Sequence, residues 1–132
     1  QRPEMAIHKF VRGILRGEAI PFYGDGSSRR DYTYVDDIVD GVVRSLDRCE
    51  GYEIYNLGES QTTSLAELVE TIAGALDVEV VLDKQPMQPG DVVITYADVS
   101  KARERLGYSP SVLIPEGVAR FIAWYRSEGP GA

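Results

Sequence analysis

The sequence has little of what marks exported or membrane-bound proteins. Among its 132 residues there is one cysteine, Cys49, so neither an internal disulfide nor a cysteine pair for a zinc site can form. No apolar run reaches the ~18 residues that a membrane helix needs, and Gln1 begins no signal-peptide pattern. We therefore expect no metal and no membrane partner, and a cytoplasmic location is the default expectation.

Positive charge is also in deficit. The chain has 14 Lys and Arg residues against 21 Asp and Glu residues, which gives a formal net charge of −7. Nucleic-acid phosphates are repelled by such a balance unless a basic face is segregated, and here only the first predicted helix is basic. We expect no nucleic-acid partner.

Signatures of catalysis and of dinucleotide binding are missing too. The glycines of GDGSSR have neither the spacing nor the context of a phosphate-binding fingerprint that opens a helix after a strand. No Tyr is followed four residues later by Lys, and nothing pairs a nucleophile with a base. Tyr108 is interpreted as an ordinary core or surface tyrosine, and His8 as a solvated residue on the polar face of a helix. We therefore predict no catalytic residue and no cofactor site in this chain.

The stretch from Gly24 to Asp37, GDGSSRRDYTYVDD, is the most informative part of the sequence. Its glycines and Asp25 suit a tight turn that brings backbone N–H groups near a ligand. Arg29 and Arg30 stand at the mouth of a strand-forming run, where a guanidinium can meet phosphate oxygens two at a time. The alternative is that the two arginines merely balance the neighbouring carboxylates, which are Asp25, Asp31, Asp36 and Asp37.

Hydrophobic periodicity predicts an α/β fold, α+β in isolation, with a small mixed sheet and about four to five helices. Strands are predicted at residues 20–23, 32–35, 52–57 and 78–82. The apolar stripes of the first three helices are Ile7, Phe10, Val11, Ile14 and Leu15; Ile38, Val39, Val42, Val43 and Leu46; and Leu65, Leu68, Val69, Ile72 and Leu76. The first helix is predicted to end near Gly17, and the second to have its N-cap at Asp36 or Asp37. The third is predicted to begin with a capping box of Ser64 and Glu67. Asp98 is predicted to cap a short helix through Leu106, and Pro115 to open a last helix with Val118, Phe121, Ile122 and Tyr125.

The segment 84–92, KQPMQPGDV, is too rich in Pro and Gly for a helix or a strand. Such a loop is either functional or a simple connection. Asp91, which follows Gly90, is suited to accept hydrogen bonds from a pair of vicinal hydroxyls, as acidic side chains do when they hold a ribose. A turn or N-cap carboxylate is the alternative. From these residues alone the chain is a soluble α/β domain with a candidate anion site.

Several motifs in a fixed order resemble one enzyme family. QRPEM, IPFYGDGSSRRDYTYVDD, YNLG, MQPGDV, TYADVSKARERLGY and a final helix ending in AWY are similar to the C-terminal part of extended short-chain dehydrogenase/reductases. The resemblance runs from Gln1 to about Arg126 and is greatest to bacterial UDP-glucuronate 4-epimerases and their NAD-dependent epimerase/dehydratase relatives. It implies that residues 1–132 are the C-terminal, substrate-binding domain of a longer enzyme. The NAD-binding Rossmann domain, with the catalytic Tyr and Lys, would precede Gln1.

The resemblance also assigns substrate-binding residues. It gives Arg30 to the diphosphate of the nucleotide sugar, Asp91 to the ribose, and Ile20, Pro21 and Phe22 to a strand that lines the uracil pocket. Gln88 stands where many relatives have an arginine that also meets the diphosphate, so Arg30 is expected to bear more of the anion. Arg2 lies where these epimerases approach the sugar, and its guanidinium would suit a glucuronate carboxylate.

The implied reaction is NAD-dependent epimerisation at C4 of a UDP-sugar, from UDP-glucuronate to UDP-galacturonate. The catalytic groups for this reaction would belong to the absent half. The fragment alone is therefore predicted to be inactive and to contribute only by positioning the substrate. A UDP-glucuronate decarboxylase or a nucleotide-sugar dehydratase is the alternative within the family. A non-catalytic ligand-binding or interaction module is the alternative from another class. The expected partners are the UDP-sugar, the missing Rossmann half and a second copy of the chain.

Overall fold

The computed structural model describes residues 4–48 and 50–129, so Arg2 and Cys49 lie outside the described residues. Over these ranges the chain forms five helices and four short strands. In order they are α1 (Ala6–Leu15), β1 (Ile20–Tyr23), β2 (Arg29–Arg30), α2 (Val35–Arg48), β3 (Thr63–Ser64), α3 (Leu65–Leu76), β4 (Leu82–Gln85), α4 (Ser100–Leu106) and α5 (Ile114–Glu128). β1 pairs with β4 in parallel, and β2 pairs with β3 in antiparallel fashion. The predicted α/β class is confirmed.

The main core lies between α1, α3, α5 and β1. The whole predicted stripe of α3 is buried there, because residues at three-four spacing share one face of a helix. α5 packs on that face with Val118, Ile122 and Tyr125, and Pro115 lies in its first turn as predicted. Ile20 and Phe22 of β1 complete the core.

The predicted capping box at the start of α3 is confirmed. The Glu67 backbone N–H donates to Ser64 Oγ at 3.1 Å, and the Ser64 backbone N–H donates to Glu67 Oε2 at 2.7 Å. Two N–H groups that have no partner within the helix are satisfied in this way. These hydrogen bonds also lower the pKa of the Glu67 carboxyl.

A second, smaller core surrounds α4 and Tyr108. α2 packs beside this core through a polar residue and a glycine, while most of its apolar residues are exposed. Asp37 and Gly41 are the buried residues of α2, and Arg48 Nη1 donates to the Leu106 carbonyl at 2.7 Å, where α4 ends. The predicted apolar stripe of α2 faces outward: Val39, Val42 and Val43 are about half exposed and Leu46 is 77% exposed. A helix normally turns its apolar side toward a core, so this lobe leaves the apolar side of α2 uncovered.

Three predicted strands are shifted or absent among the described residues. α2 begins at Val35, so residues 32–35 do not form the central strand, and β2 is the arginine pair before them. Residues 52–57 are not assigned to a strand, and the fourth strand is Leu82–Gln85 rather than 78–82. The physical reason is that strand propensity produces a strand only where a partner edge is available. β4 finds that edge on β1, with Ile20 opposite Leu82.

Two local predictions are corrected. His8 is not solvated but 3% exposed, and its ring meets Phe121 and Tyr125 edge-on at centroid distances of 5.5 and 5.4 Å. Position 8 is one helical turn before Val11 and therefore shares its inward face. The N-cap of α4 is Val99 rather than Asp98, although the Asp98 carboxylate accepts from the Ser100 N–H at 3.0 Å.

Asp36 and Asp37 lie in the first turn of α2 rather than at its N-cap. The buried Asp37 carboxylate accepts from the backbone N–H groups of Ser111 and Val112, each at 3.0 Å. It therefore ties α2 to the segment that leads into α5. In the part of the chain that the structure describes, no helix combines the length and the apolar character needed to cross a bilayer.

Candidate functional site

The glycine turn after β1 positions the arginine pair. Gly24 and Gly26 have φ values of +63° and +80°, in the left-handed region that the sequence predicts for them. Between them, Asp25 Oδ1 accepts from the Ser27 backbone N–H at 2.9 Å and from Ser27 Oγ at 2.6 Å, which lowers the pKa of the Asp25 carboxyl. The turn is fastened to the start of α3, because the Gly26 carbonyl accepts from the Ala66 N–H at 3.1 Å. The chain therefore enters β2 along a fixed path.

Arg29 and Arg30 point to different partners. Arg29 Nε donates to Thr62 Oγ1 at 2.9 Å, and its Nη2 lies 3.2 Å from Glu67 Oε2. Arg30 Nη2 donates to Asp91 Oδ1 at 2.7 Å, with the two side chains 25% and 38% exposed. Arg29 thus joins the turn to α3, whereas Arg30 faces the loop that carries the predicted ribose acceptor.

The backbone holds Arg30 and Asp91 in register. The Arg29 N–H donates to the Val93 carbonyl at 2.8 Å, and the Thr95 N–H donates to the Arg29 carbonyl at 3.1 Å. These bonds place residues 93–95 beside β2 as a short parallel bridge. Two residues that are 61 positions apart in sequence thereby meet in one place.

Asp31 has a structural role that its sequence context, which indicates only a charge partner for the arginines, does not reveal. Its Oδ1 accepts from the Glu59 N–H at 2.9 Å, and its Oδ2 accepts from the N–H groups of Ser60 at 3.2 Å and Ala97 at 3.1 Å. One carboxylate therefore fastens two separate loops to the residue that follows Arg30. Its position directly before a predicted strand gave no sign of these partners, which lie 28 to 66 residues away in sequence.

The other predicted site residues divide between the core and a recess. Ile20 and Phe22 are 1% and 8% exposed, so their side chains fill the core and do not line an open surface. Pro21 faces the other side of β1 and lines a recess that also contains Gln88. The Asp91 N–H donates to the Gln88 carbonyl at 3.1 Å, which joins the loop beside the recess to the turn that holds Asp91. Of the predicted site residues, Arg30 and Asp91 are in direct contact, whereas Pro21 and Gln88 line a recess whose lining does not include that pair.

Glu59 and Tyr108 are buried titratable residues that do not line this recess. Glu59 is 6% exposed, and its pKa is raised by burial and by the carboxylates of Asp37 and Asp31. Tyr108 is 1% exposed and donates from its hydroxyl to the Gly58 carbonyl at 3.0 Å; burial and nearby negative charge raise its pKa to about 12. Tyr108 is thus a core residue, one of the two alternatives that the sequence leaves open.

The Arg30–Asp91 pair has a chemistry that suits ligand binding. A guanidinium and a carboxylate stand side by side at a partly exposed edge, which suits a ligand with both an anion and hydroxyl groups. Within residues 4–48 and 50–129, no three His, Cys, Asp or Glu side chains form a group that suits a metal ion. A groove of about 350 Å³ between residues 32–35 and α5 is lined mainly by apolar side chains and contains none of the predicted site residues.

Sequence comparison matches most of the chain to one enzyme family. The family model of GDP-mannose 4,6 dehydratase matches residues 1–121. An uncharacterized protein of Methanocaldococcus jannaschii is 44% identical over 124 residues, covering 94% of this chain and 38% of that protein. A UDP-glucuronate 4-epimerase of Thermodesulfobacterium geofontis is 36% identical over 126 residues, covering 95% of this chain and 39% of that protein. The chain therefore spans about two fifths of the curated relatives it matches.

Solved structures agree with the sequence comparison. The UDP-glucuronic acid 4-epimerase of Bacillus cereus, in complex with UDP-glucuronic acid and NAD, superposes with a TM-score of 0.89 at 29% identity, over 96% of this chain and 41% of that one. MoeE5 in complex with UDP-glucuronic acid and NAD superposes with a TM-score of 0.90 at 35% identity, over 96% of this chain and 42% of that one. The fold of this chain is thus that of one portion of a longer nucleotide-sugar enzyme.

Proposed function

The chain belongs to the GDP-mannose 4,6-dehydratase family, and we propose that it is the nucleotide-sugar-binding part of an NAD-dependent sugar 4-epimerase. The substrate that we propose is UDP-glucuronate, with UDP-galacturonate as the product. Two similar proteins support this choice: the T. geofontis relative is a UDP-glucuronate 4-epimerase, and the B. cereus epimerase holds UDP-glucuronic acid. Under this proposal, residues 1–132 are one domain of a longer enzyme.

The single observation that carries the proposal is the Arg30–Asp91 pair. The two residues that the family resemblance assigns to diphosphate and ribose are 61 positions apart, yet they meet at 2.7 Å. A diphosphate and a ribose are neighbours in every nucleoside diphosphate, so a cation and a hydroxyl acceptor must also be neighbours in its site. Gln88 carries no charge, which leaves Arg30 as the charged group that we assign to the diphosphate.

NAD is assigned to the part of the enzyme that precedes this chain. A dinucleotide site uses the N–H groups of a glycine turn that opens a helix, but the glycine turn here leads into β2. The described residues therefore do not fit NAD, and no redox step is derived for them. This chain would hold the UDP while the sugar reacts, which is a positioning role.

A dehydratase is the second candidate reaction, and the family model that matches residues 1–121 favours it. A decarboxylase acting on UDP-glucuronate is the third. All three reactions use a nucleotide sugar. The enzymes differ in the catalytic residues that determine the reaction, and we place those residues in the missing half. Arg2, the predicted partner of a glucuronate carboxylate, lies outside the described residues and remains a prediction.

Titration calorimetry with UDP tests the proposal. We expect Arg30→Ala to weaken UDP binding by about tenfold, because a charge-assisted hydrogen bond contributes about 1.5 kcal/mol or more. The matched control is Arg16→Ala, which removes an exposed positive charge just beyond the end of α1. Equal UDP affinities for the wild type and Arg30→Ala would remove Arg30 from the site.

A different observation distinguishes the proposed enzyme from a non-catalytic binding or interaction module. A glycine-rich strand–helix turn and a Tyr-x-x-x-Lys within about 200 residues upstream in the reading frame would support the enzyme, since that is a normal length for a preceding domain. A start codon directly upstream of the Gln1 codon would favour the module. The missing half and a second copy of this chain are the protein partners that we propose.

A further inference from the structure

The turn at residues 58–60 contains a buried carboxyl group that lacks a full set of partners. Glu59 is 6% exposed, and among the described residues no donor lies within hydrogen-bond distance of its buried Oε2. A buried carboxylate oxygen without a donor is costly, because it loses its hydration and gains no hydrogen bond in return. The turn is therefore most favourable when Glu59 is protonated and neutral.

The charged groups around Glu59 act in the same direction. Asp31 accepts three backbone N–H groups and Asp37 accepts two, so a proton on either carboxylate would displace a donor. Burial and the charges of Asp37 and Asp31 raise the pKa of the Glu59 carboxyl, and Arg103 of α4 opposes them. The hydroxyl of Tyr108, with a pKa raised to about 12, adds no charge at neutral pH. Glu59 is thus the member of this cluster that is suited to take up and release a proton.

The backbone of the turn is strained and closely packed. Ser60 has a φ of +58°, in the left-handed region that residues other than glycine rarely adopt. A Cβ on Gly58 would lie 2.9 Å from Asp31 Oδ2, so the chain has no room for a side chain there. In this conformation the N–H groups of Glu59 and Ser60 reach Asp31 at 2.9 and 3.2 Å. These hydrogen bonds offset the strain, and a negative charge on Glu59 works against them.

Asp31 connects the turn to Arg30, which it directly follows. Asp31 Oδ2 also accepts from the Ala97 N–H, just beyond residues 93–95, which lie beside β2. Opening of the turn would remove two of the three N–H donors of Asp31. We propose that Glu59 is a proton-operated latch: its neutral form closes the turn on Asp31 and so positions β2 and Arg30, and its ionisation releases them. The consequence for ligand binding rests on the proposed function, which assigns the diphosphate to Arg30.

The direction of the effect follows from the difference in proton affinity between the closed and the open turn. Because the pKa of Glu59 is raised in the closed turn, the closed state is fully favoured below 4.5 and loses stability as pH rises through that raised pKa. Over this interval the equilibrium constant for opening rises by up to about tenfold per pH unit and then levels off. Ligand affinity should fall with it, because an Arg30 that is not held in place loses conformational freedom when it binds an anion.

Amide hydrogen exchange measured by NMR tests the latch without any ligand. The N–H groups of Glu59, Ser60 and Ala97 donate to Asp31, and that of Thr95 donates to the Arg29 carbonyl of β2. From about pH 4 to about pH 8, we expect these four amides to exchange progressively faster in the wild type than in Glu59→Gln, by up to about tenfold per pH unit. Comparison at each pH cancels the intrinsic pH dependence of exchange.

Two further measurements make the comparison specific. Glu70→Gln removes one exposed carboxylate from α3, and its four amides should exchange as those of the wild type do. In the wild type, the carbon shift of the Glu59 carboxyl should titrate with a midpoint above 4.5, at the pH where the rise in opening levels off. That titration needs no variant, so it decides the question even if Glu59→Gln fails to fold.

Titration calorimetry with UDP over the same pH range tests the effect on the ligand. We expect the ratio of the wild-type Kd to that of Glu59→Gln to rise by at least about fivefold, since the titration of UDP itself is common to both proteins. A pH-independent difference in exchange would overturn the latch, while a loss of UDP binding in Arg30→Ala would leave the proposed function standing. A latch that opens with pH at a constant Kd ratio would overturn the control of ligand binding. UDP binding that is absent or independent of Arg30 would overturn the proposed function, and exchange alone would then decide the latch.

Discussion

Arg29, Arg30 and Asp31 are consecutive charged residues with three different roles. Arg29 joins the turn to Thr62 and Glu67, Arg30 faces Asp91, and Asp31 receives N–H groups from two loops. Along a strand, successive side chains point to opposite faces, so neighbours in sequence do not share surroundings. The role of each charge is therefore set by what the fold brings opposite it.

Glu59 offers a prediction at the level of one titrating group. Its pKa is raised from 4.5 by burial and by Asp37 and Asp31, and it is lowered less by Arg103. Because the folded pKa exceeds the unfolded one, the folded state binds the proton more tightly. The stability from this group is thus fully present below 4.5 and is lost as pH rises through the folded pKa.

Glu59→Gln should remove that loss, since Gln does not titrate. Urea unfolding from about pH 4 to about pH 7 should show a variant-minus-wild-type stability difference that moves in favour of the variant as pH rises and then levels off. Glu70→Gln, which removes a carboxylate at an exposed site of α3, is the control for the loss of one negative charge. A pH-independent difference for Glu59→Gln would mean that the Glu59 carboxyl titrates alike in the folded and unfolded chains.

Helices were more predictable than strands at the scale of the element. The stripe and cap of α3 follow from spacing and hydrogen-bonding chemistry within a few residues, and both agree with the structure. The strands needed partners that no local pattern names: β1 pairs with β4, and β2 is only Arg29–Arg30. The burial of His8 is also not predictable from its own helix, because it depends on the aromatic residues of α5.

The glycine turn gives a prediction at the same scale. A Cβ on Gly26 would meet the ring of Phe22 well inside van der Waals contact, and φ there is +80°. Gly17 has a similar φ of +69°, but a Cβ there would meet nothing within 4 Å. Gly26→Ala therefore adds a clash to the backbone strain, whereas Gly17→Ala adds the strain alone.

We expect Gly17→Ala to cost about 1 kcal/mol of unfolding free energy, and Gly26→Ala about 3 kcal/mol or more. Chemical denaturation of both variants measures the difference. Similar losses for the two would mean that the Phe22 ring moves aside and that the turn is less fixed than its contacts indicate.

At the scale of the whole molecule, the described lobe buries its two cores but leaves the apolar side of α2 exposed. The candidate site could be predicted in part: the residue types in GDGSSRRDY and PGD suggested an anion and hydroxyl site, but the meeting of Arg30 with Asp91 required the bridge between β2 and residues 93–95. For α2 the spacing predicts an apolar stripe, and the family resemblance leads us to expect Val42 and Leu46 to face water in this chain. The structure agrees, with both side chains exposed.

The exposed stripe of α2 leads to a prediction about association. Apolar surface of this kind rarely stays open to water, so we expect a second copy of this chain to cover it. Light scattering coupled to size exclusion should then give a mass above that of the monomer. Val42 and Leu46, 47% and 77% exposed, lie four residues apart on one side of the helix. The double variant Val42→Lys/Leu46→Lys should be a monomer and bind less of a hydrophobic dye. Val81→Lys, which changes a 64% exposed side chain outside α2, should associate as the wild type does. A wild-type monomer that binds no dye would show that the lobe tolerates this face in water.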